Sequence, residues 1–191
     1  MEGVKDMGKS ALLVMDVQNG IVQTYAPDEG ALKPLQVALA KARERGLAIV
    51  FVRVAFRPGY VDVSPNNRSF SVLKGRGGML ETDLTTQVWE GVEPQPGEVV
   101  VVKRRVSAFA GSGLDVVLRS MDIDHLILTG IATSGVVLST LRQAADLDFR
   151  ITVLSDACLD ADPEVHRVLM EKVFPRQAAV MTGAEWGALL G

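Results

Sequence analysis

Two charged residues stand where apolar runs of this chain stop. Asp16 closes Leu12-Leu13-Val14-Met15, and Lys103 closes Val99-Val100-Val101-Val102. A carboxyl group and an ammonium are side chains with which a protein moves protons and offsets charge, and in open α/β sheets ligands bind at the carboxyl edge of the strands. Strand-tip charges also occur with no role, because loops are polar and start where strands end. A third segment, Thr129-Gly130-Ile131-Ala132-Thr133-Ser134-Gly135-Val136-Val137, runs from an apolar stretch into a helical pattern. Its small residues would let backbone N–H groups face an anion or oxyanion. They equally suit a tight turn without a ligand, with Thr133 in the turn and Ser134 as the helix cap.

The elements that would position these residues alternate between short β-branched runs and longer helical patterns, the mark of βαβ units around a parallel sheet. Strands are expected over 11–17, 47–55, 98–103, 125–130, 149–155 and 177–181, mostly continuous apolar runs, as when helices cover both faces. A helix is expected over 30–45, with Leu32, Leu35, Leu39 and Ala42 on one face and Gly46 as its stop. A second opens at Ser112 through a Ser112/Asp115 capping pattern, and a third runs from about 134 to 147. A fourth starts at Asp162-Pro163 and ends before Pro175, and a short last one is capped by Thr182 and Glu185. The stretch 57–97 is rich in Gly, Pro, Asn and Ser, with helical patches only around Val72 and Leu84. It reads either as a cover over a site or as a surface excursion.

Several look-alike motifs fail on context. Gly3-Val4-Lys5-Asp6-Met7-Gly8-Lys9-Ser10 matches the phosphate-loop pattern, but a strand follows where a helix is needed, so it reads as a flexible leader. Gly111-Ser112-Gly113 lacks the third glycine of a dinucleotide fingerprint, replaced by Val116. His125 and His166 have no partner at metal-ligand spacing, so no zinc site is expected, and His166 reads as a surface residue. Of the 191 residues 48% are hydrophobic and 23% charged, a globular balance, and the expectation is one domain spanning 1–191. With a net charge of -3 and no basic stripe, nucleic acid is not an expected partner. No apolar run approaches a membrane span or a secretory h-region, and Cys158, the sole cysteine, can form no internal disulfide. The cytoplasm is the expected location.

Asp16-Val17-Gln18, then Lys103 followed by Ser107-Ala108-Phe109, then Gly130-Ile131-Ala132-Thr133 before a helix, together resemble the isochorismatase-like, or cysteine hydrolase, superfamily in order and spacing. The resemblance runs from about Ala11 through Phe174-Pro175-Arg176. It implies a three-layer α/β/α fold with a six-stranded, mostly parallel sheet, homo-oligomers of two or more chains, and a non-proline cis peptide at Ile131-Ala132. In the amidase-type members an Asp-Lys-Cys triad works through a covalent acyl intermediate, and the cysteine position falls on Val136. Valine has no lone pair to attack a carbonyl. The metal-binding histidines of nicotinamidases have no counterpart after Arg53-Val54-Ala55-Phe56. No metal or cofactor is expected.

The resulting expectation is a hydrolase of small molecules that uses Asp16 and Lys103 non-covalently, as true isochorismatases do on a vinyl ether. Asp16 would be the general acid, Lys103 would orient a substrate carboxylate, and Ile131, Ala132, Thr133, Ser134 and Gly135 would form the substrate or oxyanion loop. Burial would favour the neutral carboxyl of Asp16 while Lys103 opposes it, leaving the direction open. Gln18, Arg57, Tyr60, Trp89 and Phe109 are candidates for the pocket lining, or for packing. Two alternatives stand beside this one: a degenerate member that binds a small acid without turnover, and an amidase using Cys158 or Ser134. Cys158 is a reactive thiol on that last view and a small buried hydrophobe otherwise.

Overall fold

The structure, a computed structural model, describes residues 9–26 and 28–191. The first six residues of the phosphate-loop look-alike lie outside them, while Lys9 and Ser10 open a strand. Six strands appear in chain order: β1 Lys9–Met15, β2 Ala48–Val54, β3 Val99–Lys103, β4 Ile123–Ile131, β5 Arg150–Leu159 and β6 Ala179–Met181. They form one parallel sheet in the order β3-β2-β1-β4-β5-β6. The chain winds outward from β1 to β3, then crosses back to β4 and winds the other way, so the topological switch lies between β1 and β4.

Why the strands read as unbroken apolar runs is clear from their two faces. Leu12 and Val14 of β1 meet one core with Phe51, while Ala11, Leu13 and Met15 meet the other with Val52 and Leu128. Helices α2 (Lys33–Glu44) and α7 (Gly183–Leu189) cover the first face through Leu35, Leu39 and Trp186. Helices α4 (Leu114–Ser120) and α5 (Leu138–Asp146) cover the second through Leu114, Leu118 and Leu141. The remaining helices, α1 (Asn19–Tyr25), α3 (Leu73–Arg76) and α6 (Pro163–Val168), are short. Among the described residues no helix is long and apolar enough to cross a membrane.

The caps at Asp162 and at Thr182 with Glu185 are present as expected. The Ser112/Asp115 box is not. Helix α4 starts from Gly113, because the Ser112 hydroxyl donates back to Ala108 O at 2.6 Å and accepts only from Leu114 N–H at 3.2 Å. The stretch 57–97 carries short turns, including Leu84–Thr86. It is tied to the segments leaving β1 and β2, by Asn19 N–H donating to Gln87 O and by the Phe56–Leu80 bridge.

Candidate active site

Asp16 lies one residue past β1 in the left-handed conformation (φ 55°), which aspartate tolerates better than most residues, and its N–H donates to Val52 O at 2.8 Å. Lys103 ends β3. Since β2 separates the two strands, the tips are two strand spacings apart, roughly 10 Å, a gap that only a long side chain crosses. Lys103 crosses it. Its Nζ sits 2.8 Å from Asp16 Oδ2 and donates to the carbonyls of Arg105 at 3.0 Å and Val106 at 2.9 Å. An ammonium has three N–H donors, and these three acceptors use them all. Both side chains are buried, at 2% exposure for Lys103 and 7% for Asp16.

The other carboxyl oxygen, Asp16 Oδ1, is buried with no hydrogen-bond partner. Burial pushes the Asp16 carboxyl up to about 6 from 3.8, with the charge and hydrogen bond of Lys103 pulling the other way. The competition that the sequence leaves open thus resolves upward.

Gly130, at the exit of β4, must be glycine. Its φ is 134°, and a Cβ there would lie 2.0 Å from Met15 O, so the backbones leading to Asp16 and to the turn are in close contact. The Ile131–Ala132 peptide is cis. Thr133–Val137 then forms one π-helical turn before α5, with Ala132 at its N-cap position and no side-chain cap. Ser134 therefore does not cap the helix. Its N–H donates to Asp160 Oδ2 at 2.7 Å, while the N–H groups of Gly135 and Val137 donate to Ala132 O at 3.1 and 3.3 Å. Three N–H groups of the supposed cradle thus already have partners. The Thr133 hydroxyl donates to Leu159 O at 3.2 Å and lies 2.8 Å from His166 Nδ1. His166 is accordingly not a free surface residue but a half-buried prop against the turn, and burial lowers its pKa.

Val136 is buried in the core cluster that also holds Met15 and Cys158. Cys158 pairs with Gly130 across the β4–β5 ladder, and burial raises its thiol to about 12, so it stays protonated. Gln18 serves as a clamp. Its amide donates to Val54 O at 3.0 Å and Thr86 O at 2.8 Å and accepts from Val54 N–H at 2.8 Å, leaving little for a ligand. Phe109 packs in the core with its ring 5.9 Å from that of Phe149. Trp89 packs beside Gly91, where its ring occupies the space a Cβ would need. Tyr60 donates its hydroxyl to Gly78 O at 2.8 Å, and Arg57 stays exposed, 3.4 Å from Asp62.

Reading for strand-end charges picks out Lys103 and passes over its neighbours Arg104 and Arg105. The Arg104 guanidinium meets Ala55 O, Glu81 and, at 3.0 Å, Asp62 Oδ2. Arg105 donates to Asp62 O at 2.9 Å, and Arg53 reaches Glu81 O at 3.3 Å. The sequence signal was the run Lys103-Arg104-Arg105; the carboxylates it meets lie far away in the chain. A cavity of about 230 Å³ opens beside Gln18, lined by Ile21, Tyr25, Met79 and Thr85. A larger one of about 430 Å³ lies at the opposite, amino-terminal edge of the sheet, against Lys9, Arg45 and Leu190, away from the Asp16–Lys103 pair. Among the described residues no group of three or more His, Cys, Asp or Glu could hold a metal ion.

Residues 10–185 match the isochorismatase domain family. The chain is 36% identical over 179 residues to the ureidoacrylate amidohydrolase RutB of Pseudomonas savastanoi pv. phaseolicola, covering 82% of this chain and 73% of the relative. An isochorismatase family protein from Burkholderia thailandensis superimposes with a TM-score of 0.80 at 31% identity, covering 95% of each chain. Another from Desulfovibrio vulgaris gives 0.85 at 28% identity, covering 96% of this chain and 98% of the other.

Proposed function

The chain belongs to the isochorismatase family of hydrolases, and from that premise we propose that it cleaves a small-molecule substrate without a covalent enzyme intermediate, Asp16 transferring the proton. The observation that carries this reading is the buried, unpartnered Asp16 Oδ1, held 2.8 Å from Lys103 by its sister oxygen. A carboxyl group fixed by one oxygen and unpartnered at the other keeps a place for a transferable proton, which a substrate reaches by displacing the groups that bury Oδ1. With the carboxyl pushed up to about 6, a minority of roughly a tenth still holds the proton at pH 7, far more than for an ordinary aspartate, which favours a general acid.

On a vinyl ether, Asp16 would protonate the enol carbon, water would add to the resulting oxocarbenium-like carbon and return a proton to the Asp16 carboxylate, and the hemiketal would break its C–O bond to release a ketone and an alcohol. Lys103 takes a narrower part than the sequence suggests. Its donors are fully used, so it fixes Asp16 and offsets its charge rather than gripping substrate. Val136 occupies the turn where the resemblance puts a nucleophile, and the buried, protonated Cys158 does not replace it.

The test pairs isochorismate and simpler enol ethers with ureidoacrylate, using the wild type and Asp16→Asn. Turnover that falls by about 10²-fold or more in Asp16→Asn supports the reading. Because Asp16 acts in its protonated form, kcat/KM should decline as pH rises through about 6. The opposite limb would make Asp16 a base, as an amide-cleaving route requires. An acyl adduct on Cys158 or Ser134, seen by intact-protein mass spectrometry, would overturn non-covalent chemistry. A second reading, binding without turnover, draws support from the internal use of the N–H groups of Lys103, Ser134 and Gly135. Ligand-induced stabilisation with no product in any assay would favour it.

A further inference from the structure

With the Lys103 ammonium saturated, a charged substrate needs another cation, and the fold supplies four next to the catalytic pair. Arg57 and Arg104 meet the carboxylates of Asp62 and Glu81, while Arg53 and Arg105 reach the main-chain carbonyls of the same two residues, so four cations gather here in a chain whose net charge is -3. The cluster is joined to the pair by backbone. Arg105 O accepts from Lys103 Nζ while the Arg105 side chain holds Asp62 O, and Ala55 N–H donates to Lys103 O at 3.3 Å. An anion approaching this otherwise acidic molecule is drawn to that edge of the sheet.

The four arginines are not equivalent. Arg104 is held by Ala55 O, Asp62 and Glu81, with its side chain 11% exposed. Arg105 donates to two carbonyls, those of Asp62 and Arg104, and Arg53 is engaged by Glu81 O and by Thr86. Arg57 differs. Its side chain is 60% exposed, and among the described residues its guanidinium makes one contact, a long 3.4 Å approach to Asp62 Oδ2. Asp62 does not depend on it, since Arg104 Nε lies closer, at 3.0 Å. Arg57 can therefore leave Asp62 at little cost and present the fork of N–H donors that matches a carboxylate in two-point fashion.

We propose that Arg57 is the specificity-determining residue of the site, exchanging its loose contact with Asp62 for the carboxylate of the substrate and so selecting small carboxylic acids over their neutral counterparts. The proposal rests on the site reading above. It deepens that reading by moving the anion-binding role from Lys103 to an exposed, loosely held arginine on the segment that follows β2.

The experiment compares each of three acids (ureidoacrylate, isochorismate and benzoate) with its fully esterified methyl ester, in the wild type, Arg57→Gln and Arg57→Lys. Initial rates serve where there is turnover and calorimetric affinities where there is not. The wild type should prefer at least one acid to its ester, Arg57→Gln should reduce that preference by about tenfold or more by weakening the acid further than the ester, and Arg57→Lys should restore part of it. The proposal is overturned by equal loss for acid and ester, by an unchanged preference in Arg57→Gln, or by a wild type that takes up none of the acids. Acid-selective binding through Arg57 without turnover would leave it standing while removing the catalytic role of Asp16. Asp16-dependent turnover indifferent to Arg57 would do the reverse.

Discussion

At the scale of single residues, the consequential fact is that Lys103 and Asp16 share one buried contact with unequal needs. Folded Asp16 binds its proton more tightly than the unfolded chain does, so this group favours the folded state most below pH 3.8, and that contribution is lost as pH rises through about 6. Lys103→Met strips the cation away and leaves a buried carboxyl that is tolerable only when neutral. Thermal unfolding should show the variant losing about 3–5 kcal/mol against the wild type at pH 8 and distinctly less at pH 5. An equal deficit at both pH values would mean that the lost N–H donors to Arg105 O and Val106 O, not the charge, dominate. Cys158 makes a second prediction. A thiol reagent should leave the native protein unlabelled and modify one cysteine per chain in denaturant, and rapid native labelling would contradict its burial. Asp16 and Lys103 were legible in the sequence because each ends an apolar run. How Lys103 uses its three donors was not, since its second and third acceptors are main-chain carbonyls that no residue pattern announces.

Among the elements, the contact between β1 and β4 governs the site, and Gly130 governs that contact. Gly130→Ala would drive a Cβ into Met15 O in a backbone conformation that alanine avoids, so the strands must part or the turn must move. The urea midpoint should fall by the equivalent of more than about 3 kcal/mol, and a near-neutral result would show that the two strand ends are looser than described. All six strands could be read from β-branched runs, but their ends could not. Strand β5 continues to Leu159 because, beyond a register shift, Cys158 and Leu159 pair with Gly130 and Ile131, a decision taken by the neighbouring strand. Helix α1 escaped notice because it is only seven residues long and has no side-chain cap, so Ile21, Val22 and Tyr25, which pack partly buried against the core, make too short a stripe to announce it. The third helix was expected, yet its first turn is π-helical, its N–H groups being committed to Ala132 and Asp160.

For the molecule as a whole, the sheet order divides the labour between two stretches of chain. The part up to the exposed Gly111 builds β1, β2 and β3 with Asp16, Lys103 and the arginine cluster; the part beyond it builds β4, β5 and β6 with the turn, Asp160 and His166. Arg57 and its carboxylates were invisible as a group for the same reason, because partners such as Ala55 and Arg104 lie 49 residues apart and meet only once β2 and β3 pair. A chain cut at Gly111 should thus yield two three-stranded fragments, each with the raw central edge of β1 or β4 uncovered. Neither should hold a working centre, and mixing them should restore whatever activity the intact protein has, in proportion to the complex recovered by gel filtration. The seam between β1 and β4 would then be a place where the protein can be taken apart and its chemistry switched on by reassembly.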